Sequence, residues 1–187
     1  MRWILLFGFF LGLRLFYGQQ MGIISMDDKK YSKQFVPLSL PIDSISLNKL
    51  DILLMVSSSK NGLQDQDVKL LEDFVKSGGL LYLGNDNWPF IEESNFLLTK
   101  WFGIALYELE TNRESKVLRT EQYDAYLQSN SYIPVHHQLE VLTWFADQPL
   151  VVKGKIGLGS VIIDGGFSRY NHLPAEQLQK DLLNFPH

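Results

Sequence analysis

The chain has 187 residues, 45% of them hydrophobic and 13% aromatic, which is enough to bury the core of one ordinary domain and too few for two. Its formal net charge is -4 and no dense Lys/Arg stripe occurs, so the electrostatic term that dominates binding to nucleic acid or anionic lipid is missing, and neither partner is expected. Cysteine is absent, which excludes disulfides, thiolate metal ligands, cysteine nucleophiles and a lipoprotein anchor.

Residues 1–20 differ in kind from the rest. Arg2 gives a short positive start, Trp3 to Leu13 is an almost unbroken apolar run, and Gln19 and Gln20 come directly after, the layout of a secretory signal. Arg14 interrupts the run and its length is short for a bilayer, so a transmembrane helix is the weaker choice. Bulky Phe16 ahead of Gly18 is unfavourable for cleavage and leaves a retained anchor open. A buried first helix, or a start at Met21 or Met26, are the bland alternatives. The expected location is periplasmic or secreted, with membrane attachment only through this leader, and residues 21–187 are expected to form one domain.

Met26 to Phe35 is polar, and Pro37 and Pro41 punctuate the next stretch, which suits a loop or a short edge strand. Ile52 to Val56 is a continuous apolar run without alternation, the pattern of a strand buried on both faces. From Gln64 to Ser77, Val68, Leu71, Phe74 and Val75 recur at helical spacing, Asp65 and Asp67 suit the positive end of a helix dipole, and Gly78 and Gly79 stop the helix. Leu80 to Leu83 is a second apolar strand. A crossover of this length makes the two strands parallel.

Asn95 to Trp101 reads as a short helix ended by Gly103. Residues 105–135 mix short apolar pieces with charges and tyrosines, a meandering insertion with one or two edge strands. Val151 to Lys153 and Val161 to Ile163 flank Gly154, Gly157 and Gly159, a hairpin expected at the sheet edge. Leu173 to Phe185 is expected to be a terminal helix, with Pro174 in its first turn. Together these elements predict an α/β fold, a three-layer sandwich around a mostly parallel central sheet.

The run Leu50-Asp51-Ile52-Leu53-Leu54, the acidic helix after Leu63, and Phe74-Val75-Lys76-Ser77-Gly78-Gly79-Leu80-Leu81-Tyr82-Leu83 resemble the class I glutamine amidotransferase-like superfamily. Phe102-Gly103-Ile104 and Gly157-Leu158-Gly159-Ser160-Val161-Ile162-Ile163 fit the same pattern, so the resemblance covers roughly residues 47–104 and 150–172. It points to a non-enzymatic branch, that of gliding-motility ABC-transporter auxiliary proteins, intraflagellar transport subunits and bacterial DUF4350-type proteins. The resemblance implies a flavodoxin-like α/β domain that binds a protein or a small polar ligand, and its expected place in the bacterial cell envelope rests on the leader alone. The enzymes of this superfamily carry a cysteine on a tight turn after a central strand. Here the turn after Leu83 reads Gly84-Asn85-Asp86-Asn87-Trp88-Pro89, so amidotransferase chemistry is excluded. The family's first strand and helix have no obvious counterpart, because only about thirty residues separate the leader from the Asp51 strand. The runner-up function is a carbohydrate-directed hydrolase with a non-cysteine site.

Ligands of open α/β sheets bind at the carboxyl ends of parallel strands, which brings Ser57, Ser58, Asn85, Asp86, Asn87 and Trp88 to one rim. Asn85, Asp86 and Asn87 could hold a sugar-like polyol under Trp88; an Asx-rich turn bonding its own backbone is the favoured alternative. His172 falls where the superfamily enzymes often carry a late histidine, but has no nucleophile to activate. Asp164, Ser168 and His172 invite a hydrolase triad, but no Gly-x-Ser-x-Gly elbow surrounds Ser168. His136 and His137 are adjacent and would diverge on a strand, so no metal is expected there. Gly165 and Gly166 make weak phosphate-loop material, Trp144 and Phe145 suit closure of the core at a sheet edge, and no cofactor is indicated.

Overall fold

A computed structural model describes residues 19–25, 28–56, 62–86, 91–108, 116–119 and 124–185. The first half of the chain forms β1 (Met21–Ser25), α1 (Asp28–Tyr31), β2 (Val36–Pro37), α2 (Ser44–Leu47), β3 (Ile52–Val56), α3 (Asp65–Lys76), β4 (Leu80–Gly84) and α4 (Glu92–Phe102). The second half forms β5 (Tyr107–Glu108), β6 (Lys116–Arg119), β7 (Asp124–Leu127), β8 (Ser131–Tyr132), β9 (Leu139–Phe145), β10 (Gln148–Ile156), β11 (Gly159–Asp164), a 3-10 turn (Phe167–His172) and α5 (Ala175–Asn184).

The apolar runs of β3, β4 and β11 form the middle of a seven-stranded sheet in the order β2-β1-β3-β4-β11-β10-β9. The first five strands in that order pair in parallel, and β10 and β9 add an antiparallel margin. Successive strand residues face opposite ways. Leu53 and Met55 accordingly pack with Val68, Leu71, Phe74 and Val75 of α3 and with Leu97, Leu98 and Phe102 of α4. Ile52 and Leu54 pack on the other side with Phe167 and Tyr170 of the 3-10 turn and Leu178 and Leu182 of α5. Helices thus cover both faces, which is why these strands show no polar alternation in sequence. Each fully buried leucine contributes about 1.5–3 kcal/mol. An exposed i,i+4 pair such as Lys69–Asp73 adds about 0.3–0.5 kcal/mol, so packing decides stability.

Two local devices set the position of α3. Asp67 is buried and accepts from the Gln64 amide at 2.9 Å and from the Ile42 amide at 2.7 Å, tying the first turn to the segment before β3. At the other end the β10–β11 turn packs against the end of the helix: a Cβ on Gly159 would lie 2.2 Å from the Val75 carbonyl oxygen and 2.3 Å from that of Gly79.

The strand-helix-strand unit lies as the sequence predicts, with Ile52 opposite Leu80 in a parallel ladder. Several expectations need correction. The β10–β11 hairpin is not at the sheet edge, because β11 pairs with β4 and β9 forms the margin. A first strand is present: β1, at residues 21–25, sits between β2 and β3. Residues 105–135 contribute no strand to the main sheet among those described; β5 pairs with β8 and β6 with β7 as separate ribbons. Of residues 1–20, where a leader is expected, 1–18 lie outside the described residues. Among those described, no helix is long and apolar enough to cross a membrane.

Candidate functional site

The parallel strands end together, with Val56 opposite Gly84 and Gly84 opposite Asp164. The loops leaving this rim are therefore the natural ligand-facing segments of the fold. Ser57, Ser58, Asn87 and Trp88 lie outside the described residues. Asn85 is buried, and its amide nitrogen donates back to the Leu83 carbonyl at 2.9 Å; this is a local backbone bond, but not the expected Asx turn, in which the side-chain oxygen would accept from an amide further along the chain. Its backbone amide donates to the Asp164 carbonyl at 2.8 Å and its carbonyl accepts from Phe167 at 3.0 Å, so the ends of β4 and β11 are laced together. Asp86 beside it is half-buried, and His172 is exposed at the end of the 3-10 turn.

Asp164 sits at the centre of a buried polar network. Its carboxylate accepts from Arg169 at 2.7 Å, from the Gly166 amide at 2.9 Å and from the Tyr82 hydroxyl. Arg169 also donates to the Gly166 carbonyl at 2.7 Å and to the Tyr170 hydroxyl at 3.2 Å, and Tyr170 donates to Asp181 of α5 at 2.6 Å. Burial pushes the Tyr82 phenol well above its usual value and the Asp164 charge adds to this, so Tyr82 keeps its proton and remains a donor. Burial alone would lower the pKa of Arg169, but Asp164, Tyr170 and Tyr82 more than offset that, and the net shift is upward. Arg169 therefore stays charged.

The three residues that invited a triad are held apart in role. Ser168 is buried and donates to the Ser129 carbonyl at 2.7 Å, Asp164 is clasped by Arg169, and His172 faces solvent. His136 and His137 do not diverge on a strand as expected. They lie ahead of β9 with ring centroids 4.3 Å apart, and among the described residues no group of three or more His, Asp or Glu side chains could hold a metal ion. Trp144, expected to close the core, is 55% exposed on the marginal strand.

Sequence reasoning missed the partners Tyr82 and Arg169, and also Glu93 and Ser131. Opposite charges on either side of the Gly165-Gly166 turn were an available signal for the ion pair. Glu93, in the first turn of α4, is buried with Oε2 lacking a hydrogen-bond partner; burial raises its pKa above the usual 4.5, its own backbone amide opposes this, and the Glu92 charge reinforces it. Asn85 Oδ1 and Ser131 Oγ are likewise buried and unpartnered.

No family model matches the chain, and no curated protein matches it. Solved structures do. An exo-beta-1,4-mannosidase from Opitutaceae bacterium strain TAV5 matches 95% of this chain at a TM-score of 0.55 and 11% identity, over 36% of its own length. A beta-galactosidase from the Antarctic haloarchaeon Halorubrum lacusprofundi matches 90% at a TM-score of 0.57 and 15% identity, over 31% of its length. The N-terminal domain of mmIFT52 matches 89% at a TM-score of 0.56 and 13% identity, over 96% of that domain. The chain thus spans about a third of the two glycosidases and nearly all of the third structure. At such identities the likeness is one of fold alone.

Proposed function

We propose that this chain is a non-catalytic binding module of glutamine amidotransferase-like, flavodoxin-like build, akin to the DUF4350-type and gliding-motility auxiliary proteins, working in the bacterial cell envelope. The parallel order β2-β1-β3-β4-β11 supports the flavodoxin-like part, since it is the 2-1-3-4-5 order of that fold with β11 as the fifth strand. The near-complete overlap with the mmIFT52 N-terminal domain supports a free-standing unit of this size. Envelope placement draws on the composition of residues 1–20. The partner is an envelope protein or a small polar ligand held at the strand-end rim.

The observation that carries the non-catalytic reading is the state of Asp164. A general acid or base must exchange its proton with a substrate, whereas this carboxylate is wholly buried and already bonded to Arg169, Tyr82 and Gly166. The second reading, a carbohydrate-directed hydrolase, draws on the glycosidases among the similar structures. Glycoside hydrolysis calls for two carboxyl groups flanking the scissile bond, and Asp164 is committed elsewhere.

The test is incubation of the purified protein with aryl β-mannoside and β-galactoside substrates. The expected result is no aryl release above buffer. Release that disappears on His172→Ala or Asp86→Asn overturns the non-catalytic reading in favour of the hydrolase.

A further inference from the structure

The two margins of the main sheet are built differently. One is β2, two residues long and ending in Pro37, which has no backbone N–H to pair; a short strand with a proline is a blunted edge. The other is β9, a seven-residue strand (Leu139–Phe145) with no proline and a single charge, Glu140. Nothing in that strand discourages a further one from pairing with it.

The turn after β9 fixes which of its backbone groups face outward. Ala146 and Asp147, both at positive φ, form a two-residue turn closed by Phe145 and Gln148, and such a closing pair exchanges its hydrogen bonds within the hairpin. Bonded and non-bonded pairs then alternate, so Trp144 turns its N–H and C=O away from β10. Opposite it on β10 is Pro149, which lacks an N–H, as a non-bonded pair allows. The ladder slips once, at Thr143 and Val151, and is in step again at Val141 and Val152, three residues on along both strands. Leu142 and Glu140 therefore face outward as Trp144 does. Among the described residues, no hydrogen bond outside the β9–β10 ladder takes these backbone groups.

Glu140, Leu142 and Trp144 are evenly spaced about Leu142, so the set is its own complement. When a copy of β9 runs antiparallel with Leu142 opposite Leu142, Glu140 meets Trp144 at each end, and every outward N–H and C=O of the three residues finds a partner. Sliding the copy by two residues leaves one of the three unmatched inside the strand. Val141 meets Thr143 on the other face of the sheet. The strand's one charge faces Trp144 and not its own counterpart, so no like charges are opposed. Trp144, 55% exposed on the margin, would cover the aliphatic part of the copy's Glu140.

We propose that β9 is the interface of a two-fold symmetric dimer, in which the main sheets of two copies of this chain join across paired β9 strands. The rim ends of β3, β4 and β11 lie inward of β10 and stay uncovered, so the dimer does not depend on the binding-module reading. A seven-residue edge falls short of the roughly 20–30 residues a side of a standard interface, which sets the dimer among weak, micromolar associations.

The test exploits the absence of cysteine, since a single introduced thiol reports one position. The full chain is purified in a mild nonionic detergent, so that the apolar residues near its start do not associate by themselves. It carries Leu142→Cys, Trp144→Cys or Ile45→Cys, the last at an exposed site on α2, and is oxidised with copper-phenanthroline at micromolar concentration. Leu142→Cys is expected to form a disulfide-linked dimer about tenfold faster than Ile45→Cys, because directly paired Cα atoms lie about 5.5 Å apart, within disulfide reach. Trp144→Cys is expected to link no faster than Ile45→Cys, because its counterpart sits four residues along the copy's strand, about 13 Å away. Trp144→Glu opposes like charges at both ends and is expected to weaken the dimer about tenfold in sedimentation equilibrium, with the circular-dichroism spectrum unchanged. Equal rates at Leu142 and Ile45, or a chain that stays monomeric throughout the micromolar range, overturns the dimer and leaves the edge to a strand of another protein. Faster linking at Trp144 than at Leu142 overturns the register.

Discussion

Arg169 places a guanidinium nitrogen 2.7 Å from the Asp164 carboxylate, with 4% and 0% of the two side chains exposed. Removing one partner of such a pair leaves an uncompensated charge in the interior. Asp164→Asn is therefore expected to cost about 3–5 kcal/mol in urea unfolding, and Arg169→Met a comparable amount. Replacing both, with Asp164→Leu and Arg169→Met together, is expected to cost less than the two single changes added, because no stranded charge remains. A loss under about 1 kcal/mol for Asp164→Asn would mean that the pair is solvated in the protein.

Gly159 offers a purely steric test. A methyl group there meets carbonyl oxygens of Val75 and Gly79, both backbone and both fixed by the end of α3, so the clash cannot relax by a rotamer change. Gly159→Ala is expected to cost at least the 1–3 kcal/mol typical of overpacking. Gly103, with φ +68 and open space around it, is the contrast: Gly103→Ala is expected to lose only about 1 kcal/mol, from backbone conformation alone. Equal melting temperatures for the two variants would show that the β10–β11 turn does not pack on α3 as described.

The reach of the sequence is set by these contacts. The Ile52–Leu83 unit was legible because its signals are local: an apolar run, helical spacing, a glycine stop and another run. β1 was not, since Met21-Gly22-Ile23-Ile24-Ser25 is short and lies close behind the apolar stretch that reads as a leader. The hairpin of β10 and β11 was recognisable from its glycines, but its place inside the sheet depends on β9, which no local pattern ties to it. At the rim, residue type suggested that Asn85 would bond nearby backbone, but not that it would do so through its nitrogen to the Leu83 carbonyl. Ser131, whose amide donates to the Gly165 carbonyl, reaches this strand end through the fold of the insertion, and one sequence carries no record of such a meeting.

Ser168 is expected to act in structure and not in chemistry. Its hydroxyl bridges to the Ser129 backbone, donating at 2.7 Å and accepting at 3.3 Å, and so ties the 3-10 turn to the segment after β7. Ser168→Ala should lose about 1–2 kcal/mol of stability, and the native protein should not react with a fluorophosphonate probe. Stoichiometric labelling that is lost in Ser168→Ala would instead identify a nucleophile.

Glu93 gives the stability of the protein a pH dependence of known sign. Its folded pKa lies above the usual 4.5 because burial disfavours the charged form and Glu92 adds repulsion. Between the unfolded and folded values the native state binds the proton more tightly, so stability falls as pH rises through that window, and the penalty persists at neutral pH. Asp43 works in the opposite sense: the Ser46 hydroxyl, the Ser46 and Ile45 amides and Lys49 lower its pKa, and its contribution is lost as pH falls through the folded value. The two are separated by comparing the native chain with Glu93→Gln. The variant should match the native melting temperature in acid, where Glu93 is protonated in both states, and exceed it at pH 7. Parallel melting curves across the whole range would show that Glu93 is solvated.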